Sequence, residues 1–263
     1  MSGAHGSDGA KRARADVLLV ERGLAPTRQK AQALILAGEV WSGDARVDKP
    51  GAALRSTADL RVEPRRRFVS RGGEKLDGAL HDLPTAAHLR ALDGVVALDV
   101  GASTGGFTDC LLQRGAARVF AVDVGENQLD ERLRNDPRVV VRDRTNARDL
   151  TADAFDAPID LVVVDASFIG LGLLMPAIVR VLQRGDLVAL VKPQFEAGRS
   201  EVTRGKGVIR DDAVRERAID GAREAVRAAG FEILSEADSR LRGPKGNLER
   251  FLHAAVGLPR ARD

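Results

Sequence analysis

The chain has 263 residues, 44% of them hydrophobic, and a net charge of +3, which suits one medium domain plus a small one and excludes global disorder. A single cysteine, Cys110, excludes a disulfide framework or a cysteine-based zinc site within the chain, and the four histidines (His5, His81, His88, His253) are too scattered along the sequence to suggest a metal cluster. No apolar run reaches the roughly 18 residues of a membrane span, and the N-terminus lacks the apolar h-region of a signal peptide, so a soluble cytoplasmic protein is expected.

In chain order, residues 1–13 read as a small, polar, disordered extension. Asp16-Val-Leu-Leu-Val-Glu21 predicts a short helix. Thr27 can cap a second one, whose apolar positions Ala31, Leu34 and Ile35 run on to a stop at Gly38. Val40-Trp41 starts a strand, Ser42-Gly43-Asp44 is a turn, Arg46-Val47 begins the return, and Lys49-Pro50-Gly51 is a further turn. The expected unit, over 14–62, is two short helices and a small hairpin. An arginine-rich connector over 63–73 follows (Arg61-Val-Glu-Pro-Arg-Arg-Arg-Phe-Val-Ser-Arg-Gly-Gly73 in full), then a helix over Glu74–His81.

Residues 1–75 carry 15 Lys and Arg against 9 Asp and Glu, while the other 188 carry 26 against 29, so the positive field belongs to the N-terminal part. That distribution suits contact with nucleic acid, the plainer reading being a solvated basic face. The candidate RNA contacts are Arg14, Arg28, Lys30, Lys49, Arg65, Arg66, Arg67 and Arg71. The chain has 34 arginines and seven lysines; since lysine can give up its proton and arginine cannot, each lysine in a structured motif stands out.

From 74 to 263 the texture is β-α-β. Strands are expected at Val95–Val100, Arg118–Val122, Val139–Arg142, Asp160–Val164, Asp186–Val191, Phe231–Leu234 and Phe251–Ala254, with helices at Phe107–Gln113, Leu173–Leu182 and Asp212–Ala229. Near-continuous apolar strands in such repeats argue for an α/β fold with a mostly parallel, helix-covered sheet.

Asp99-Val-Gly101-Ala102-Ser103-Thr104-Gly105-Gly106-Phe107-Thr108 lies between the first strand and its helix. Ligands bind at the carboxyl ends of strands in open α/β sheets, and glycines there let the backbone approach them. The spacing is neither that of dinucleotide binders nor that of a phosphate loop. Asp123 ends the next strand, where an acid can hydrogen-bond a ribose diol, and Arg142–Asn146 ends the one after, with polar groups that could read an adenine edge.

The fourth and fifth strands end in Asp165 and Lys192, which adjacent strands would bring together at the carboxyl edge. Lys75 follows Arg71-Gly-Gly-Glu74, and Glu249 closes Gly243-Pro-Lys-Gly-Asn-Leu-Glu249. A lysine flanked by carboxylates can position and deprotonate a hydroxyl for in-line attack on a methyl sulfonium, with positioning the larger contribution. Proton transfer calls for a lysine pKa of about 7–8 against about 10.4 unperturbed. Each of the four, taken alone, also reads as a structural ion pair.

Together the motifs resemble the TlyA family of ribosomal RNA 2′-O-methyltransferases, sometimes labelled hemolysins, over about Arg14–Phe251. Residues 31–40 and 47–51 look like the small RNA-binding domain of ribosomal small-subunit protein four. Ser70–Leu76, Asp99–Thr108 and Val191–Glu196 carry the resemblance in the catalytic part, which is similar to the FtsJ class. The resemblance implies a Rossmann-like class I methyltransferase with a small α+β RNA-binding domain, and a Lys-Asp-Lys-Glu tetrad at Lys75, Asp165, Lys192 and Glu249. It implies S-adenosyl-L-methionine bound by Asp99, Gly101, Ala102, Ser103, Thr104, Gly105, Gly106, Phe107, Asp123, Asn146 and Asp165. The implied targets are cytidine 2′-hydroxyls in 16S and 23S ribosomal RNA within the subunits. In this family the connector, here Arg65–Val69, affects cofactor binding. Two departures are Ser42-Gly43-Asp44 where the hairpin turn usually carries Asn, and Phe68 where Trp is common. Residues 1–13 and the tail after Phe251 fit the longer members, which act on both subunits. The expected enzyme is monomeric and needs no metal or membrane. A membrane-active hemolysin and a non-catalytic ribosome assembly factor are the competing readings.

Overall fold

The structure is a computed structural model that describes residues 12–63 and 67–257, without the side chains of residues 199, 200 and 204. The chain folds as two compact units, residues 1–66 and 67–263.

In the first unit, β1 (Arg12–Arg14) leads into α1 (Ala15–Glu21) and α2 (Arg28–Leu36). Thr27 caps α2 by accepting from the Lys30 amide at 3.1 Å, and Gly38 turns the chain at φ +74°. Next come β2 (Val40–Ser42), β3 (Ala45–Arg46), β4 (Ala53–Arg55) and β5 (Leu60–Val62). The expected β2–β3 hairpin turns at Gly43, φ +57°, the position where a two-residue turn needs a positive φ. The sheet is larger than a hairpin, since β5 pairs with the other side of β2, and β1 and β4 form a second, two-stranded sheet. Arg12 and Ala13, expected in the disordered extension, face Arg55 and Leu54 in that second pairing, and the rest of the extension lies outside the described residues. Leu18, Leu19, Ala31, Ile35, Val40 and Leu60 form the core. Asp16 is buried with them, its carboxylate accepting from Arg14, Arg28 and Gln32 at 2.8–3.0 Å.

The second unit opens with α3 (Arg71–Asp82), which starts before the expected Glu74 and so takes the glycine pair into its first turn. Phe68, expected in the connector, is buried in the core. Then follow β6 (Val96–Val100), α4 (Gly106–Gln113), β7 (Arg118–Val122), α5 (Glu131–Arg134), β8 (Val139–Arg142), β9 (Leu161–Val164), α6 (Met175–Val181) and β10 (Gly185–Val191). The chain ends with α7 (Pro193–Glu196), α8 (Arg199–Arg204), α9 (Asp212–Ala228), β11 (Glu232–Asp238) and β12 (Arg250–Val256). The sheet order is β11-β12-β10-β9-β6-β7-β8, parallel from β10 to β8 and antiparallel at β12 and β11. Successive residues point to opposite faces, which β9 shows plainly. Leu161 and Val163 meet α3 and α4, while Val162 and Val164 meet α6 and α9. Both faces are covered, so β9 reads as an unbroken apolar run. The strand expected over Phe251–Ala254 runs from Arg250 to Val256 as β12.

Topology delivers the candidate residues to one edge. The loop after β6, Asp123 after β7, Asp165 after β9 and Lys192 after β10 all leave the carboxyl ends of parallel strands. β12 runs antiparallel with Arg250 opposite Val191, so Glu249, just before it, arrives at the same edge.

Candidate active site

Lys192 leaves β10 as the residue before α7. Its Nζ lies 2.7 Å from Asp165 Oδ1, and it donates to the Asp165 carbonyl at 3.0 Å and to Ser167 Oγ at 2.9 Å. The ammonium thus meets three oxygens on the β9 exit, two as hydrogen-bond acceptors and Asp165 Oδ1 as an ion-pair partner. Lys75, on α3, donates from Nζ to Glu249 Oε2 at 2.6 Å. This second pair is the deeper one, with Lys75 8% and Glu249 1% exposed in their side chains. Glu249 Oε1 is buried with no hydrogen-bond partner.

Glycines lie against the carboxylates of both pairs. A Cβ on Gly72, one helical turn before Lys75, would sit 3.6 Å from Asp165 Oδ2. On Gly243 it would sit 2.4 Å from Glu249 Oε1, so only glycine lets that loop close over the carboxylate. α3 and α4 also touch through glycines, since a Cβ on Gly106 would lie 2.7 Å from the Gly73 nitrogen.

The glycine loop is built tightly against its neighbours. Gly101 (φ +87°) turns where a Cβ would meet Ala166 Cα at 2.9 Å, and Gly105 (φ +94°) turns where one would meet Leu133 Cδ1 at 2.3 Å. Ser103 and Thr104 are the exposed residues of the loop, and Ala102, Gly105, Gly106 and Phe107 are buried. Asp123 Oδ2 accepts from the Ser103 amide and Oδ1 from the Gly125 amide, each at 2.8 Å. Asp99 is fully buried beneath the loop, accepting from Thr108 Oγ1 at 2.7 Å, and its Oδ1 has no partner. Burial pushes its carboxyl up to about 7 against the Thr108 hydrogen bond, with the charges of Asp165 and Asp123 adding to the rise. Asn146 caps a short turn by accepting from the Arg148 amide at 3.1 Å.

Two side chains here escaped sequence reading. Ser167 holds Lys192, and Phe168, 91% exposed at φ +65°, packs against Phe195 at 5.2 Å between ring centroids. Both follow Asp165 closely, and a serine and an aromatic just past a strand end were the available signals. A non-glycine residue with positive φ is strained and tends to mark a working site.

The basic candidates fall into different settings. Arg14 and Arg28 hold Asp16, while Lys30 and Lys49 are exposed. Arg67 pairs with Asp77 at 2.8 Å and stacks on Phe68, and Arg71 donates to the Arg242 carbonyl at 2.9 Å. Arg65 and Arg66 lie outside the described residues.

A parallel sheet with a glycine loop, an acid one strand further on, and lysine–carboxylate pairs at the same edge defines a Rossmann-like methyltransferase. Residues 68–255 match the FtsJ-like methyltransferase family and residues 13–60 match the S4 domain, so the chain belongs to the FtsJ-like methyltransferases and carries an S4 domain at its N-terminal end. It is 47% identical, over 96% of its length and 93% of the relative's, to the 16S/23S rRNA (cytidine-2′-O)-methyltransferase TlyA of Mycobacterium tuberculosis. It is 40% identical to Hemolysin A of Brachyspira hyodysenteriae, covering 92% of this chain and all of that one. A solved structure of a hemolysin-named protein from Streptococcus thermophilus superposes with a TM-score of 0.69 at 37% identity, covering 95% and 90% of the two chains. No helix among the described residues is long and apolar enough to cross a membrane.

The residues at this edge fit S-adenosylmethionine, the methyl donor of such enzymes. The loop backbone at Ser103 and Thr104 is open, and Gly101 and Gly105 adopt turns that a side chain would obstruct. The Asp123 carboxylate accepts two amides here, which leaves lone pairs for a ribose diol. Asp99 and Phe107 support the loop from below.

Proposed function

We propose that this chain transfers a methyl group from S-adenosylmethionine to the 2′-hydroxyl of cytidine in 16S or 23S ribosomal RNA, or both, within the ribosomal subunits. The observation that carries the reading is the pair of buried lysine–carboxylate contacts, Lys192 with Asp165 and Lys75 with Glu249, beside the glycine loop. The sulfonium supplies an already activated methyl group, so the chain's own task is to orient the hydroxyl and take its proton. Lys192 and Asp165 hold the hydroxyl, with Asp165 Oδ2 and the Lys192 Nζ as the atoms that take up or relay the proton. Lys75 and Glu249 fix the far side of the hydroxyl's site. The loop over Gly101–Gly106, with Asp123, holds the donor, and Asn146 lies on the segment that would face its adenine. Phe168 offers an apolar face beside Asp165 for the target base.

The S4 unit, residues 14–62, anchors the RNA through Arg14, Arg28, Lys30 and Lys49, and the connector over 63–73 adds Arg65, Arg66, Arg67 and Arg71. The enzyme acts as a monomer on ribosomal RNA. These roles are supported by the relative's activity on 16S and 23S rRNA cytidine and by the S4 match.

The test is transfer of a tritiated methyl group to isolated small and large subunits, followed by mapping of the modified nucleotide. Ribose methylation at cytidine is expected. No incorporation into either subunit, or methylation of a base, would overturn the reading. Lysis of erythrocytes by highly purified Lys192→Ala protein would favour the membrane-active alternative instead.

A further inference from the structure

At the edge of the sheet opposite the methyl-transfer site, folding gathers two of the four scattered histidines. His253, on β12, is fully buried, and its Nε2 lies 2.7 Å from Asp186 Oδ1. His88, in the helical turn Pro84–Arg90, brings its Nε2 to 3.0 Å from Asp186 Oδ2. One donor atom from each of the three residues lies within 4.8 Å of the others, and the two rings are 5.9 Å apart.

A second layer stands behind the first. His253 Nδ1 lies 2.7 Å from Thr85 Oγ1, which is hydrogen-bonded in turn to Ser235 Oγ. Thr85 can accept the Nδ1 hydrogen and pass its own to Ser235. In that tautomer the Nε2 lone pair of His253 faces Asp186 Oδ1, and a proton or a metal ion between them offsets the repulsion. Metal-ligating histidines are oriented in this way, by the hydrogen bond that their other nitrogen gives to an oxygen.

We propose that His88, Asp186 and His253 form a binding site for a divalent transition-metal ion of the zinc class, which staples the Pro84–Arg90 segment to β10 and β12. Two imidazole nitrogens and one carboxylate oxygen suit Zn²⁺, whereas Mg²⁺ and Ca²⁺ favour oxygen alone. Binding exchanges the hydrogens shared between the imidazoles and the carboxylate for the ion. The role is structural. Asp186 is the second residue of β10 and Lys192 follows the last, which at the rise of a strand separates them by about 20 Å. The His88 side chain is 55% exposed, so solvent reaches the ion on that side.

The test uses the full chain, stripped with a chelator and titrated calorimetrically with ZnCl₂ and, separately, MgCl₂. One saturable Zn²⁺ per chain is expected, with no response to Mg²⁺. The melting temperature should rise by about 5 °C at a roughly hundredfold excess over Kd. Because His253 is buried, its replacement can unfold the chain. The deciding variant is therefore His88→Ala at an exposed side chain, which should weaken Zn²⁺ binding at least about tenfold. His81→Ala, an exposed histidine outside the cluster, should change nothing. A chain that binds no Zn²⁺, or a His88→Ala variant that binds it as the parent does, would overturn the site and leave a plain hydrogen-bonded network. Loss of methyl transfer on chelation would overturn the structural role.

Discussion

Lys192 meets Asp165 twice, through the carboxylate at 2.7 Å and through the backbone carbonyl at 3.0 Å. The ammonium is therefore referenced to the β9 backbone as well as to a side chain, and its position cannot drift with the Asp165 rotamer. Replacing Lys192 with alanine leaves Asp165 partly exposed, at 23%, so the carboxylate can hydrate and the fold survives. Lys192→Ala is expected to lower methyl transfer by about 10²–10⁴-fold, the usual scale for a proton-transfer group. Calorimetry should find S-adenosylmethionine binding within about twofold of the parent. A variant that loses both together would assign Lys192 to cofactor binding.

The Lys75–Glu249 pair behaves differently because it is sealed. Lys75→Met strands a carboxylate that is 1% exposed and is expected to cost about 3–5 kcal/mol of stability in urea unfolding. The double variant Lys75→Met, Glu249→Leu should recover most of that loss while remaining inactive. A single variant costing less than about 1 kcal/mol would show that the two charges do not depend on one another.

How far these residues were legible in the sequence follows from how each is held. β6 to β10 read clearly because both faces of a parallel strand are apolar, and their carboxyl ends mark where a ligand sits. The short strands of the S4 unit, Arg12–Arg14, Ala53–Arg55 and Leu60–Val62, were not legible, since three residues bearing arginines carry no alternation. β11 was read too short because Glu236 and Asp238 look like loop residues, yet they pair with Arg223, Arg215 and Arg250 at the sheet's edge. The quartet of Lys75, Asp165, Lys192 and Glu249 was named through family resemblance, and only the Asp165–Lys192 contact followed from strand adjacency. The contact of His88 and His253 with Asp186 depends on topology, because sequence spacing says nothing of which strand ends lie beside the Pro84–Arg90 turn.

Asp123 has a double duty that predicts a composite loss. Its carboxylate holds the Ser103 and Gly125 amides and would also hold the donor's ribose. Asp123→Ala removes charge-assisted hydrogen bonds worth about 1.5–3 kcal/mol and frees the loop, so the S-adenosylmethionine Kd should rise about 10- to 100-fold. Asp123→Asn, which can still accept one amide, should fall between alanine and the parent. Equal binding by all three would remove Asp123 from the cofactor site.

Asp99 gives the catalytic unit a pH dependence of definite sign. Its carboxyl rises from 3.8 to about 7 in the folded chain, chiefly by burial. Between those values the folded chain keeps a proton that the unfolded chain has released, so stability falls as pH rises through the window and levels off above about 7. The effect is on the order of 4 kcal/mol across the window. Asp99→Asn, which cannot titrate, should flatten this slope in urea unfolding between about pH 5 and 7.5. A slope unchanged by the substitution would place the titration elsewhere.

Asp16 gives the S4 unit the opposite sign and ties its stability to RNA binding. The hydrogen bond from Arg14, foremost among those that outweigh burial, holds its carboxyl well below the ordinary range. That stability is present above about pH 4 and is lost as pH falls further. Asp16→Ala should destabilise the unit by about 1.5–3 kcal/mol and release Arg14 and Arg28 from their fixed positions. If those arginines meet phosphates, the variant binds ribosomal RNA more weakly, with the greatest loss at low salt. Its log Kd against log salt should become shallower by about 0.7–0.9 for each phosphate that the variant no longer neutralises. Fluorescence anisotropy with a ribosomal RNA fragment across roughly 50–200 mM salt measures this slope. An unchanged slope in a variant of reduced stability would mean that Arg14 and Arg28 serve the fold of the unit and that its RNA contacts lie with Lys30, Lys49 and the connector.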